Sequence, residues 1–267
     1  MIASIVKLLV ALAVALAVAL PLVVYFLQDR LIFFPQPLGD ARRAETAARF
    51  PVAREVFAEA TDGTRLHAWH MNSGPDLVLY FGGNAEEVSW MLDAARAEMA
   101  GTSWLLTDYR GYGASAGSPS ERHLVADALS WYDYAVNELG ARRIFAFGRS
   151  LGSGVAVALA AQRSLAGVIL STPYDSLVAV AQRYYPYLPV RWLLRHRFDS
   201  IALAPRLKAP LLCLIAGHDE VIPPSHAERL YQAWGGPRRK LVLAGARHNE
   251  TDAAPEFWPE IRRFVSG

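Results

Sequence analysis

The sequence predicts an α/β domain built on a mostly parallel, doubly wound sheet of eight strands. Short apolar runs of strand length alternate with stretches of helical periodicity through most of the chain, which is typical of parallel sheets covered by helices. An alternating hairpin precedes these units. With 267 residues and 53% hydrophobic composition, the chain is long enough to bury the large core that such a sheet needs.

The chain begins with an apolar stretch, residues 8–27, that carries no charge. A helix of this length spans about 30 Å, the thickness of a bilayer's hydrocarbon core. We therefore expect residues 1–27 to be an uncleaved, single-pass membrane anchor, with positive charges on both sides that do not indicate its orientation. A signal peptide cleaved after Ala17-Val18-Ala19 is disfavoured because the apolar run continues seven residues past Leu20. A buried helix of a soluble fold is disfavoured because the stretch has no polar face.

Residues 28–53 are predicted to join the anchor to a catalytic domain over residues 54–267. Within the join, residues 31–35 fit either the membrane interface or packing on the domain, and residues 41–49 are predicted to form a short helix. The predicted strands are residues 54–60, 65–71, 76–81, 103–108, 144–147, 167–171, 211–216 and 240–243, the first two forming a hairpin with Asp62-Gly63 at its turn. The predicted helices are residues 86–100, 121–139, a stretch that starts after residue 150, 224–233 and 255–265.

The pattern Gly148-Arg149-Ser150-Leu151-Gly152 follows a buried strand and precedes a helix of small apolar residues. This is the context of a nucleophile elbow, where a serine occupies a strained corner and a side chain on the flanking glycines would collide with the turn. A second match to the pattern, residues 113–117, runs into turn residues, and no helix starts directly behind Ser115. We therefore expect Ser150 to be the nucleophile.

A serine hydroxyl becomes a nucleophile when a neighbouring base takes its proton and an acid holds that base. Asp219 lies just past the carboxyl end of the seventh strand, where open α/β sheets place functional residues, and is the preferred acid. Asp175, behind the preceding strand, is the alternative. His248, on the loop after the last strand, is the predicted base because it completes the chain order Ser, acid, His.

An oxyanion hole needs two backbone N–H donors. We expect one from Leu151, which follows the nucleophile, and the other from Asn84 in the glycine-containing loop after the third strand. Gly83 and Ala85 are alternatives to Asn84 within one residue.

Five motifs occur in order along the chain. They are Phe81-Gly-Gly-Asn-Ala85, Asp108-Tyr-Arg-Gly-Tyr-Gly113, Gly148-Arg-Ser-Leu-Gly152, Gly217-His-Asp219 and Gly245-Ala-Arg-His248. Together they resemble the α/β-hydrolase superfamily over about residues 30–265, and within it the small membrane-anchored branch of lysophospholipase-like enzymes, protein depalmitoylases and relatives labelled serine peptidases. The resemblance implies the α/β-hydrolase fold with a short lid over residues 177–208, and a structural role for the Asp108 motif. In that branch the oxyanion loop usually begins His-Gly-Asn, whereas Gly82 occupies the first position here.

These features predict a serine hydrolase that cleaves an acyl ester or thioester of a lipid-like substrate through an acyl-enzyme intermediate. The alternatives are a serine peptidase of the same fold and a catalytically inactive, membrane-tethered binding protein. The lid is rich in aromatic residues and arginine, which suits either helices packed on the sheet edge or an acyl-binding cap near a membrane.

The composition of the chain limits the classes of binding partner and cofactor that we expect. The balance of 27 basic and 25 acidic residues gives no reason to expect nucleic acid. The single cysteine, Cys213, lies in an apolar run and is expected to be a buried thiol. The seven histidines form no metal-ligand pattern, and we expect neither a metal nor a cofactor. We expect a monomer that meets an acyl substrate and a membrane.

Overall fold

The computed structural model of the protein describes the backbone of residues 2–267 and all of their side chains except those of residues 13, 14 and 16–18. The side chains of Ala17 and Val18, in the alternative signal-peptide site, therefore lie outside the described residues.

Eight strands form one sheet in the order β1-β2-β4-β3-β5-β6-β7-β8. β1 pairs antiparallel with β2 and β2 antiparallel with β4, while the other neighbours are parallel, so the predicted mostly parallel sheet is confirmed. The strands are β1 Ala53–Glu59, β2 Arg65–Met71, β3 Asp76–Phe81, β4 Ser103–Thr107, β5 Arg143–Arg149, β6 Gly167–Ser171, β7 Leu211–Ala216 and β8 Arg238–Leu243.

Helices cover both faces of the sheet and its carboxyl end. They are α1 Ile2–Ile32, α2 Asp40–Arg49, α3 Met91–Glu98, α4 Glu121–Asn137, α5 Leu151–Ala160, α6 Leu177–Tyr184, α7 Val190–Leu193, α8 Ser200–Leu203, α9 Pro224–Ala233 and α10 Phe257–Ser266. α4 begins at the predicted residue 121, where the Ser120 hydroxyl caps the helix by accepting a hydrogen bond from the His123 amide. Three of the helices, α6, α7 and α8, lie in the segment between β6 and β7; residues 177–208 are called the insert below.

The N-terminal helix α1 extends five residues beyond the predicted end at residue 27. Its last turns contact the domain: the Gln28 side chain is buried, and Phe33, just past the helix, is 2% exposed. Among the described residues, no helix has both the length and the hydropathy that crossing a membrane requires.

The prediction of one helix over residues 86–100 is wrong at its start. Residues 82–87 form a loop, a 3₁₀ turn covers Val88–Trp90, and α3 begins only at Met91. The reason is the Glu86 carboxylate, which accepts hydrogen bonds from the Gly83 amide and the Trp90 indole and so holds the chain in a loop.

The core lies in two layers, one on each face of the sheet. In β3, Leu77 and Leu79 belong to one layer, whereas Val78 and Tyr80 belong to the other, as the alternation of side chains along a strand requires. The parallel strands all point the same way, so the loops that follow β3, β5, β7 and β8 lie together at the carboxyl end of the sheet.

The only cysteine of the sequence lies inside this sheet. Cys213 stands in β7, between β6 and β8, and is fully buried. Burial raises the pKa of its thiol to about 12.

Candidate active site

Ser150 occupies a strained corner between β5 and α5. Its backbone has φ 50° and ψ −115°, a conformation that a residue with a side chain rarely adopts. A hydrogen bond of 2.9 Å from the Ser150 amide to the Ser171 carbonyl holds the corner. A Cβ on Gly148 would lie 2.2 Å from the Gly152 carbonyl oxygen, and one on Gly152 would lie 2.0 Å from that of Phe81. The glycines of the pattern are therefore required by close backbone contacts.

His248 and Asp219 lie beside this serine. The distance from His248 Nε2 to Ser150 Oγ is 3.0 Å, and His248 Nδ1 lies 2.8 Å from Asp219 Oδ2. An ionised carboxylate only accepts hydrogen bonds, so the proton of the neutral His248 ring is on Nδ1. His248 Nε2 is then free to accept a hydrogen bond from the Ser150 hydroxyl. The structure thus brings together the three residues selected from the sequence, with His248 and Asp219 both buried.

The alternative acid, Asp175, does not contact His248. Its carboxylate lies 2.7 Å from His226 Nδ1 and accepts a hydrogen bond of 2.6 Å from Arg229 Nε, both residues of α9. Asp219 is held by its own loop, because Oδ1 accepts hydrogen bonds from the Val221 and Ile222 amides. Asp219 is therefore the carboxylate that orients the histidine ring.

The loop after β3 lies against the serine corner. A Cβ on Gly83 would stand 3.8 Å from Ser150 Cβ, but the Gly83 amide already donates to Glu86 Oε2 at 2.8 Å. Among the described residues, neither the Asn84 nor the Leu151 amide donates to a protein acceptor. Of the alternatives, Gly83 is thus occupied, and the two predicted donors remain unpaired.

A cavity of about 900 Å³ opens beside Ser150 and His248. This volume is near the upper end of the range typical for small-molecule sites. Its lining is largely apolar and comes in part from the insert, with Leu177, Val180 and Leu193 among the lining residues. The site therefore joins a polar reaction centre to a long apolar wall.

Comparison with known proteins identifies the fold. The family described as "Serine aminopeptidase, S33" matches residues 75–202. An esterase of Pyrococcus furiosus has the same fold, with a TM-score of 0.71 at 17% identity over 88% of this chain and 98% of its own.

Relatives by sequence occur in a bacterium, a plant, a nematode and a yeast. An uncharacterized protein of Mycobacterium tuberculosis is 38% identical over 253 residues, covering 91% of this chain and 89% of that protein. The alpha/beta hydrolase domain-containing protein WAV2 of Arabidopsis thaliana is 28% identical over 229 residues, 76% and 74% of the two chains. The chain belongs to the α/β-hydrolase superfamily. An uncharacterized membrane protein of Saccharomyces cerevisiae is 28% identical over 260 residues, 91% and 90% of the two chains.

Two residues of this α/β-hydrolase site were not predicted from its sequence. Glu86 accepts hydrogen bonds from the Tyr80 hydroxyl and the Gly83 amide, and it pairs with Arg149 at 3.3 Å. Arg149 also reaches Asn249, which neighbours the histidine. Burial alone would lower the pKa of Arg149. The nearby Glu86 and Tyr80 outweigh this effect, so the pKa of Arg149 is raised above its ordinary value. The guanidinium therefore stays charged and links the loops of Asn84, Ser150 and His248.

The sequence carried one signal for this network. Glu86 follows the Gly82-Gly83 pair by three residues, a spacing at which a carboxylate reaches back to the turn's own amide. The bond of Glu86 to Arg149 joins residues 63 positions apart, so no local sequence pattern indicates it.

The second serine pattern of the hydrolase is structural. The Ser115 hydroxyl accepts from the His67 amide and donates to the Asp108 carbonyl, so it fixes a turn. Asp108 pairs with buried His67, and Arg110 pairs with Asp127, in keeping with the structural role implied for this motif. Among the described residues, no group of histidine, cysteine, aspartate and glutamate side chains is arranged to hold a metal ion.

Proposed function

We propose that the protein is a serine hydrolase that cleaves acyl esters or thioesters of lipid-like substrates, with Ser150 as nucleophile, His248 as base and Asp219 as orienting acid. The observation that carries the proposal is the 3.0 Å contact between His248 Nε2 and Ser150 Oγ at the end of an apolar cavity. Such contacts allow the imidazole to take the hydroxyl proton as the oxygen attacks.

In the proposed reaction, Ser150 Oγ attacks the carbonyl carbon of the substrate and its proton moves to His248 Nε2. Asp219 stabilises the imidazolium that forms. The Leu151 and Asn84 amides donate to the developing oxyanion, which lies within the reach of both loops. Collapse expels the alcohol or thiol with the proton from His248, leaving an acyl-serine. Water, deprotonated by His248, then hydrolyses the acyl-serine and frees the acid.

A serine peptidase is the second candidate, favoured by the description of the matching family. The apolar lining of the cavity favours an acyl chain over a peptide, whose backbone amides would need polar partners there. A catalytically inactive binding protein is disfavoured because Ser150, His248 and Asp219 keep hydrogen-bonding distances that binding alone does not require.

The test of the reaction is covalent labelling with a fluorophosphonate together with turnover of p-nitrophenyl esters and aminoacyl p-nitroanilides. We expect the native protein to be labelled and to hydrolyse the esters, and Ser150→Ala to lose both properties because Ser150 Oγ is the hydroxyl that His248 Nε2 contacts. Ser115→Ala is the matched control and should keep both. Labelling that persists in Ser150→Ala, or turnover of the anilides alone, would contradict the proposal.

We also propose that α1 holds the protein at a membrane. Most of its described apolar side chains between Ile2 and Leu27 are exposed, and Phe26 is 72% exposed. Exposed apolar surface of this extent is typical of contact with a membrane or another protein. The insert adds Tyr187 and Trp192, which are 96% and 83% exposed and of the type enriched at membrane interfaces. The yeast relative is itself named a membrane protein.

A further inference from the structure

The apolar cavity has a second wall that the insert does not supply. The last turns of α1 contribute Val24, Leu31 and Ile32 to the lining of the same space as Leu177, Val180 and Leu193 of the insert. The two walls are far apart in the sequence, and both belong to the cavity that contains Ser150 and His248. The space between α1 and the insert is called the α1 channel below.

Polar contacts hold the two walls of the α1 channel together. Gln28, 2% exposed, donates from Nε2 to the Leu193 carbonyl at 3.2 Å and accepts from the Arg195 amide at 2.7 Å. The next residue, Asp29, accepts from Arg195 Nη2 at 2.8 Å and lies 2.6 Å from His196 Nε2. These bonds satisfy a buried amide and join the end of α1 to the insert.

The same end of α1 also reaches the loop that carries the proposed oxyanion donor. Asn84 Nδ2 donates to the Ile32 carbonyl at 3.1 Å, and the Phe34 amide donates to the Asn84 carbonyl at 3.0 Å. The Tyr112 hydroxyl donates to that carbonyl as well. These contacts hold the Asn84 side chain and the Asn84–Ala85 peptide, which adjoin the proposed donor amide, against the N-terminal segment.

We propose that the acyl chain of the substrate lies in the α1 channel, with its carbonyl at Ser150, so that α1 is a wall of the binding site. This inference rests on the proposed function. A fatty acyl chain is the occupant that fits, because most side chains of the two walls are aliphatic and the same cavity contains the nucleophile. The helix that forms one wall also carries exposed apolar side chains, among them Leu22, Val23 and Phe26, which give an acyl chain an apolar path along α1 from a membrane.

The proposal is tested by placing a large side chain in each wall of the α1 channel. Val24→Trp narrows it from α1, and Ala181→Trp narrows it from the insert, because both residues line the cavity. Leu27→Trp is the matched control, since Leu27 is on the same helix, 43% exposed and outside the lining. The full chain in detergent is assayed with p-nitrophenyl butyrate and p-nitrophenyl palmitate, and the rates are normalised to the fraction of Ser150 that a small fluorophosphonate labels.

We expect both channel variants to lower the ratio of palmitate to butyrate kcat/KM by at least about tenfold, the cost of overpacking a formed site, and Leu27→Trp to leave it unchanged. An unchanged ratio in both labelled variants would overturn the α1 channel as the chain site and leave the proposed reaction standing. A native protein that hydrolyses neither ester would overturn the proposed function, and the channel assignment with it.

Discussion

At the scale of single residues, the choice between two carboxylates illustrates what a sequence can and cannot specify. Asp175 and Asp219 both follow the carboxyl end of a strand, so position alone leaves either one able to reach a base. The structure separates them by their partners: Asp219 binds His248, and Asp175 binds two residues of α9. The partners of Asp175 are 51 and 54 residues away, beyond the reach of local pattern.

The two carboxylates should respond differently to neutralisation. Asp219→Asn removes the charge that stabilises the imidazolium, so we expect kcat to fall by a factor of about 10⁴. The melting temperature should change little, because an amide oxygen still accepts from the Val221 and Ile222 amides. Asp175→Asn should keep most of the turnover and lower the melting temperature. Steady-state kinetics and thermal unfolding of the two variants test this expectation. An inactive but folded Asp175→Asn together with a nearly normal Asp219→Asn would identify Asp175, after β6, as the catalytic acid.

The stability effect of Asp175 has a defined pH dependence. Burial alone would raise the pKa of Asp175, but hydrogen bonds from His226 and Arg229 outweigh burial and lower it from the ordinary value of 3.8. A carboxylate with a lowered pKa stabilises the folded state above its unfolded pKa, and that contribution is lost as pH falls through the folded pKa. The difference in melting temperature between native protein and Asp175→Asn should therefore shrink below about pH 4.

At the scale of elements, local sequence predicted the strands better than the segments between them. All eight predicted strands occur, within two residues at most of their boundaries, because each is a short apolar run with clear turn signals at its ends. The helix over residues 86–100 was predicted too long, since periodicity does not reveal that Glu86 is bonded to the loop. The end of α1 was predicted too early, because Gln28 is stabilised by a partner 165 residues away.

The proposed membrane contact of α1 is testable by changing its exposed face. Leu9→Glu combined with Leu12→Glu places two charges among exposed apolar side chains, and a charge in a bilayer core costs several kcal/mol. We expect the native protein to float with phosphatidylcholine vesicles in a density gradient and the double variant to stay in the dense fraction.

Arg42→Glu is the matched control, because it changes the net charge by the same amount at an exposed position on α2. That variant should float like the native protein. A native protein that stays in the dense fraction, or whose mature N-terminus by mass spectrometry begins near Leu20, would contradict the proposal.

At the scale of the whole molecule, the site depends on pieces from both ends of the chain. The predicted Ser150, Asp219 and His248 lie together because the parallel strands place their loops at the carboxyl end of the sheet. The order of the motifs along the chain was sufficient to predict this arrangement. The α1 channel was not predictable in this way. It requires the N-terminal helix to lie against the insert through hydrogen bonds between residues 165 and 167 positions apart, and no periodicity encodes those contacts.

The buried thiol of β7 makes the opening of the sheet chemically measurable. Cys213 is the sole cysteine and its pKa is raised to about 12, so a thiol reagent at pH 8 can modify the chain only after β7 separates from its neighbours. We expect pulsed iodoacetamide labelling, read as one added mass, to be negligible in native buffer and to appear across a urea series together with global unfolding. Rapid modification in native buffer would show instead that β7 opens locally. Because the readout is a mass shift on one residue, the folding equilibrium of this hydrolase becomes accessible in a crude extract, with no substrate, tag or optical signal.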